Sequence, residues 1–388
     1  MTVEKILFAL FRSEICGEML LDEYKNAITP ETASALYSIS KSHDLAHLVC
    51  EALDKNGVLA QCGKELEEAF CQQRHLAVCR YEQMKYEYAR ICNAFEEAKI
   101  DYMPLKGAVI RAFYPQPWLR TSCDIDILVR EEQLDSAVKV LMEKLSYTGG
   151  EKDSHDVSLF SGNGVHLELH FKLFDVRISK KGENVLSRTW EYSTPTRGWS
   201  HRREMTDEMF YFFHISHMAK HFEAGGCGVR PFIDLWLLNR KAIYKQTKRD
   251  QLLQQGALLK FENGAKRLSE VWFLGKGHDE CTQKIQDYVL RGGVYGNMEN
   301  AVAVKQAQKG GKFGYILSRI FVPYEILVIR YPSLKKHKWL VPFYQVRRWG
   351  RLLCKGKAKK SVQELNFNSK ISEEKQKSAE KLLQDLGL

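Results

Sequence analysis

The stretch from Tyr102 to Glu131, YMPLKGAVIRAFYPQPWLRTSCDIDILVRE, constrains this chain more than any other. A short apolar run, Tyr102 to Leu105, stops at Lys106-Gly107 and reads as a strand entering a turn. Ala108 to Tyr114 suits a helix, which the Pro115-Gln116-Pro117 cluster ends. Asp124-Ile125-Asp126-Ile127-Leu128-Val129 then alternates as a strand does. Successive strand side chains point to opposite faces, so Asp124 and Asp126 are expected together on one face, with Ile125 and Ile127 in the core. Two carboxylates side by side repel unless a cation lies between them, and a divalent metal ion is the usual answer.

The next segment keeps the strand-and-helix character. Glu131 to Tyr147 is an amphipathic helical pattern, closed by Gly149-Gly150. Ser154 to Ser161 and Val165 to Lys172 flank Gly162-Asn163-Gly164 and read as a hairpin. In Val165-His166-Leu167-Glu168-Leu169-His170-Phe171 polar and apolar residues strictly alternate, so Glu168 shares a face with His166 and His170. If the strands pair, Glu168 meets the Asp124/Asp126 face; in a different register Asp175 or Glu183 would take its place. His166 and His170 read as strand-face neighbours of Glu168 rather than as ligands.

Helical patterns flank this segment on both sides. Residues 1–98 end in a long apolar-striped helix, Lys64 to Lys99, expected to be the packing spine. Thr206 to Phe222 carries His214, His217, Lys220 and His221 at three- and four-residue spacing, hence on one face. One helix face supplies two convergent ligands comfortably, which disfavours a zinc site built from these histidines alone. Phe232 to Tyr244 is a further helix with Asp234 near its start. The expected organisation is an N-terminal helical segment (1–98), an α/β core (99–175), a helical domain (176–310) and a basic, aromatic helical segment with a tail (311–388).

The net charge of +10 belongs to that last segment, which holds 17 Lys and Arg against 6 Asp and Glu. Aromatic residues interleave with these cations from Phe313 to Leu353, which suits either a solvated helical face or a surface for an anionic partner such as nucleic acid, lipid headgroups or a polyanionic glycan. Ten cysteines without a CxxC pair fit reduced, mostly core thiols. Glu4 stands where an export signal carries positive charge, and the most apolar stretch, Tyr315 to Ile329, is cut by Arg319 and Glu325. A cytoplasmic protein without a transmembrane span is therefore expected.

Leu105-Lys106-Gly107, Tyr114, Pro115, Arg120, the Asp124–Val129 strand, His217-Met218-Ala219-Lys220-His221 and Asp234 together resemble the signature of a poorly characterised bacterial family within the DNA polymerase β-like nucleotidyltransferase superfamily. The resemblance covers roughly residues 100–240. It implies an α+β fold, a small mixed sheet with flanking helices, in which a glycine-led turn and three carboxylates bind a nucleoside triphosphate and metal. Gly107 matches the turn glycine, Asp124 and Asp126 the first carboxylate pair, and Glu168 the third carboxylate. The chain departs from the superfamily in having Lys106-Gly107-Ala108 where Gly-Ser is usual, and in a longer interval from Gly107 to Asp124.

The residues themselves agree with that chemistry. A glycine at a strand-to-helix turn lets backbone N–H groups approach phosphate oxygens. Lys106 could add a point charge, Arg120 a two-pronged clamp, and His217, Lys220 and His221 further contacts to the nucleotide. Asp124, Asp126 and Glu168 would hold Mg²⁺ or Mn²⁺ and carry the catalysis. The expected activity is transfer of a nucleoside monophosphate from a triphosphate, ATP in this reading, to a hydroxyl of an acceptor that is a small molecule, glycan or protein. A nucleotide-binding regulatory module without transfer, and a polyanion-binding protein, are the alternatives.

Overall fold

The computed structural model describes residues 1–175, 178–241, 245–294, 296–324, 327–328, 331–354, 367–369 and 371–388. The N-terminal segment forms α1 (Val3–Cys16), α2 (Asp22–Lys25), α3 (Pro30–Ser42), α4 (Ala46–Lys55) and α5 (Lys64–Glu97). Thr29-Pro30 separates α2 from α3. Thr29 caps α3 by accepting from Thr32 N, and Pro30, which has no N–H to lose, begins the first turn.

The period-two segments build one five-stranded mixed sheet in the order β1-β2-β5-β4-β3. Its strands are β1 (Tyr102–Pro104), β2 (Asp124–Val129), β3 (Thr148–Lys152), β4 (Asp156–Phe160) and β5 (His166–His170). β2 and β5 run parallel, and the other neighbours are antiparallel. β4 and β5 are the expected hairpin. β3 is an addition to the sequence reading: Gly149 and Gly150, read there as a helix terminator, lie inside it at φ of 105° and 95°, where the register shifts. The Glu131–Tyr147 helix itself closes earlier, at a left-handed Ser146.

Between these strands lie α6 (Gly107–Ile110) and α7 (Leu134–Leu145), and after them come α8 (Lys180–Leu186), α9 (Asp207–Glu223) and α10 (Arg230–Lys241). The expected Ala108–Tyr114 helix shortens to α6 plus a 3₁₀ turn, Arg111–Phe113. A small two-stranded sheet, β6 (Ser193–Pro195) and β7 (Arg203–Met205), precedes α9.

One sheet face is apolar. Ile125 and Ile127 of β2, Leu167 and Leu169 of β5 and Leu159 of β4 are buried against Ile91 and Phe95 of α5 and Leu134 and Leu141 of α7. Each such side chain contributes roughly 1.5–3 kcal/mol through burial. The other face is polar at its centre, and it looks across a cavity toward α9 and α10. At the β1 end of that face Met103, Leu105 and Leu128 join the large core of the surrounding helices. No helix among the described residues is long and apolar enough to cross a membrane.

Candidate active site

Strand register brings the expected carboxylates together. In the parallel β2/β5 pair Asp126 lies opposite Glu168 and Asp124 opposite His166, while Ser158 of β4 lies on the far side of Glu168. Side chains directly opposite in a sheet are neighbours on one face, so the two acids share a site that local sequence does not join. Of the two substitutes for Glu168, Asp175 pairs with Lys220 at 2.9 Å and Glu183 pairs with Lys180 on α8 at 2.8 Å.

Lys106 caps the arrangement. It sits between β1 and α6 with φ 42° and ψ −116°, a conformation side-chain-bearing residues rarely adopt and one that costs on the order of 1–3 kcal/mol. From this turn Nζ reaches Asp126 Oδ1 at 2.6 Å and Glu168 Oε2 at 3.9 Å. His170 Nε2 lies 2.9 Å from the same Asp126 oxygen and 3.4 Å from Glu168 Oε2. Gly107, at the start of α6, has no left-handed angle to supply. It supplies space instead: a Cβ there would lie 3.1 Å from Arg120 Nη1 and 3.3 Å from Ser122 Oγ.

The charges are unequally compensated. Burial alone would raise Asp126, but Lys106 and the hydrogen bond from His170 outweigh it and hold the carboxyl below the usual range. Asp124 has no such partner, and burial together with the Asp126 charge pushes it up to about 6. Glu168 is lowered, chiefly by its hydrogen bond from His170. Burial works against the charge on Lys106, yet Asp126, Asp124 and Glu168 together raise it. Burial also works against the charge on His170, and its hydrogen bonds to Asp126 and Glu168 raise it.

The remaining expected residues line the same cavity of about 490 Å³, with Lys106, Arg120, His217, Lys220 and His221 all on its wall. Arg120 presents its fork to Asp234 of α10, with Nη2 to Oδ2 at 2.9 Å and Nε to Oδ1 at 3.3 Å. Tyr114 donates its hydroxyl to the same carboxylate at 2.7 Å, and Arg120 Nη1 donates to the Thr121 carbonyl. On α9, His217 and His221 face each other Nε2 to Nε2 at 3.2 Å. Burial, then the nearby Lys106, holds His217 well below the ordinary histidine range. His214 is bound to the Pro231 carbonyl at 3.0 Å.

Two ligand clusters on the sheet face share Glu168: Asp124 with His166, and Asp126 with His170. Asp124, Asp126 and Glu168 are hard oxygen donors of the kind Mg²⁺ and Mn²⁺ take. Asp124, the half-buried carboxylate among them without a direct cation, is the one whose proton affinity is raised, as a site short of positive charge requires. The residues therefore fit a divalent ion.

The turn before β4 adds residues that periodicity did not single out. His155 Nε2 lies 3.2 Å from Asp156 Oδ2 and 4.0 Å from Asp175 Oδ2, and both acids and the histidine are largely buried. The available signal was the run Asp153-Ser154-His155-Asp156, four polar residues at the mouth of a strand. Among the thiols, Cys79 and Cys123 are exposed instead of core, and Cys123 lies on the cavity wall beside Asp124.

A family model described as an uncharacterised nucleotidyltransferase matches residues 29–269. The chain belongs to that family. As an uncharacterised nucleotidyltransferase it is a transferase of phosphorus-containing groups, and the match takes in every site residue named above. The basic C-terminal quarter lies outside the match. Neither the curated proteins nor the solved structures compared with the chain include a significant match.

Proposed function

We propose that this nucleotidyltransferase moves a nucleoside monophosphate from a triphosphate, ATP in our reading, to a hydroxyl of an acceptor, in a site of polymerase β-like type. The observation that carries the proposal is the register of Asp126 against Glu168 on the face that also bears Asp124, with Lys106 over both. Asp124, Asp126 and Glu168 would hold Mg²⁺ or Mn²⁺, which supplies charge neutralisation at the phosphates when bound.

The chain's own residues do the rest. Lys106 offers its ammonium to the phosphate oxygens in exchange for Asp126. Arg120, His217, Lys220 and His221 line the side of the cavity that would receive the triphosphate, and Asp234 and Asp175 hold the two cations among them in place. Glu168, half-exposed to the cavity and kept ionised by His170, accepts the proton of the acceptor hydroxyl. A bond forms between that oxygen and the α-phosphorus, the bond from the α-phosphorus to the bridging oxygen breaks, and pyrophosphate leaves. Incubating the protein with each triphosphate, Mg²⁺ and a cell extract, then measuring pyrophosphate and the mass of nucleotidylated products, tests this. Pyrophosphate release that is equal in the wild type and in an Asp124→Asn, Asp126→Asn double variant would refute it.

The same reading extends to the basic C-terminal part. Helices Lys312–Ile320 and Val341–Cys354 are joined where Trp349 Nε1 donates to the Ile320 carbonyl at 3.0 Å. Around them Phe313, Phe321, Trp339 and Phe343 are exposed among lysines and arginines, which supports engagement of an anionic lipid surface. Lys355, Lys357, Lys359 and Lys360 of the same basic segment lie outside the described residues.

A further inference from the structure

We propose that the cavity holds a second metal site, for Zn²⁺ or a similar transition-metal ion, formed by His155, Asp156 and His170 and distinct from the all-oxygen carboxylate set.

The three residues each offer a ligand atom, and these atoms all lie within 4.8 Å of one another. Strand pairing builds the group: Asp156 of β4 stands directly opposite His170 of β5, and His155 precedes Asp156 at the strand mouth, its ring centroid 5.7 Å from that of His170. The deciding atom is His170 Nδ1. His170 is only 4% exposed, its Nε2 is engaged by Asp126 and Glu168, and its Nδ1 is buried with no hydrogen-bond partner. A buried ring nitrogen left without a partner is costly, whichever tautomer it carries.

A metal resolves that cost in a specific way. With Nε2–H donating to the Asp126 carboxylate, the neutral ring keeps its lone pair on Nδ1, which is the carboxylate–histidine–metal arrangement that fixes a ligand's tautomer and orientation. His155 is set up in the same sense. Its Nδ1 is bonded to the Ser154 hydroxyl at 3.2 Å, which leaves Nε2 on the side of Asp156. Asp175 lies behind it, 4.0 Å from Nε2, and absorbs the charge of Lys220 that would otherwise oppose a cation.

The donor set distinguishes the two sites chemically. Two imidazoles and one carboxylate suit Zn²⁺, Co²⁺ or Mn²⁺ and bind Mg²⁺ poorly, whereas Asp124, Asp126 and Glu168 are oxygen donors only. Because His170 reaches both, an ion on Nδ1 would lock the ring that positions Asp126. This makes His155 and Asp156 positioning residues for the carboxylate site.

The test uses the full chain, stripped with a chelator and titrated with Zn²⁺ in excess Mg²⁺, and separately with Co²⁺ followed by visible absorption. The expected result is one Zn²⁺ per chain, a Co²⁺ spectrum of nitrogen and oxygen ligation, and a loss of affinity of at least about a hundredfold in His155→Gln and in Asp156→Asn. Asp124→Asn should keep the Zn²⁺ while losing Mg²⁺-dependent triphosphate binding, so the failure of this site and the failure of the transfer reading are separable. Circular dichroism checks that each variant is folded, and Asp156→Asn, nearly isosteric, serves if His155→Gln is not. The proposal is overturned if the wild type takes up no stoichiometric Zn²⁺, if a folded variant binds it as tightly as the wild type, or if Co²⁺ shows a thiolate charge-transfer band from exposed Cys79 or Cys123.

Discussion

Lys106 Nζ stands 2.6 Å from Asp126 Oδ1, held there by a backbone turn that a lysine rarely adopts. The ammonium thus occupies the oxygen a metal ion would need, and neutralises a carboxylate whose burial would otherwise be unfavourable. Under the proposed function, ligand binding would exchange the partners of Asp126 and release Lys106 toward phosphate.

Lys106→Met separates the two halves of that exchange. Affinity for Mn²⁺ alone should rise several-fold, since the competing charge is gone, while triphosphate affinity should fall roughly tenfold, the loss of one charge-assisted hydrogen bond. Calorimetric titration with Mn²⁺ and then with a non-hydrolysable triphosphate measures both. A parallel fall in the two affinities would show that Lys106 only holds the site together.

Glu168→Gln should leave triphosphate binding largely intact and cut turnover by at least about two orders of magnitude, through loss of a base and of one ligand charge. Single-turnover pyrophosphate release reads this directly. Full activity in the variant would move the role to another carboxylate on the cavity wall.

The Arg120–Asp234 pair joins the loop before β2 to α10 across 114 residues and is almost wholly buried, with Tyr114 as a third member. Asp234→Ala strands a buried guanidinium and should cost about 3–5 kcal/mol, whereas a combined Arg120→Met, Asp234→Leu variant should recover much of that. Urea unfolding midpoints decide it. Equal stability of Asp234→Ala and wild type would mean that the pair is screened by water.

His47 on α4 lies in the core with Nε2 donating to the Leu119 carbonyl at 2.9 Å, and burial pushes it down from 6.5 to about 4. A histidine with a depressed folded pKa takes up its proton on unfolding. Stability is therefore full above about pH 6.5, declines as pH falls toward 4, and levels off below. The contribution is about 3 kcal/mol across that window. His47→Gln keeps a donor and removes the titration, so the unfolding free energy of the wild type minus that of the variant should fall by about 3 kcal/mol from pH 7 to pH 4.

For the C-terminal part, Trp339→Ser with Phe343→Ser should abolish sedimentation with vesicles containing anionic lipid and leave triphosphate affinity unchanged, because both side chains are exposed and outside the family match. Replacing Lys335, Lys336 and Lys338 by Gln should weaken the same binding by about 1 kcal/mol per charge. Vesicle binding that survives both sets would refute this surface as the membrane contact.

The Asp124/Asp126 strand face, the hairpin around Gly162-Asn163-Gly164, the shared face of His166, Glu168 and His170, and the helix that begins at Thr206 were all legible in the sequence. Each depends on a period of two or 3.6 residues and on turn chemistry, which act within a few positions. β3 was not legible, because Gly149-Gly150 carries the same local signal in a bulged edge strand as after a helix. Only the tertiary structure decided that Asp126 meets Glu168, that Asp234 takes the fork of Arg120, and that His155 and Asp156 arrive beside His170. Those partners lie between 14 and 114 residues apart, brought together by parallel strand register and by helix packing over one polar sheet face. Register in a parallel pair is set by the whole buried face of Ile125, Ile127, Leu167 and Leu169 finding its place against α5 and α7, and no short window of sequence contains that fit.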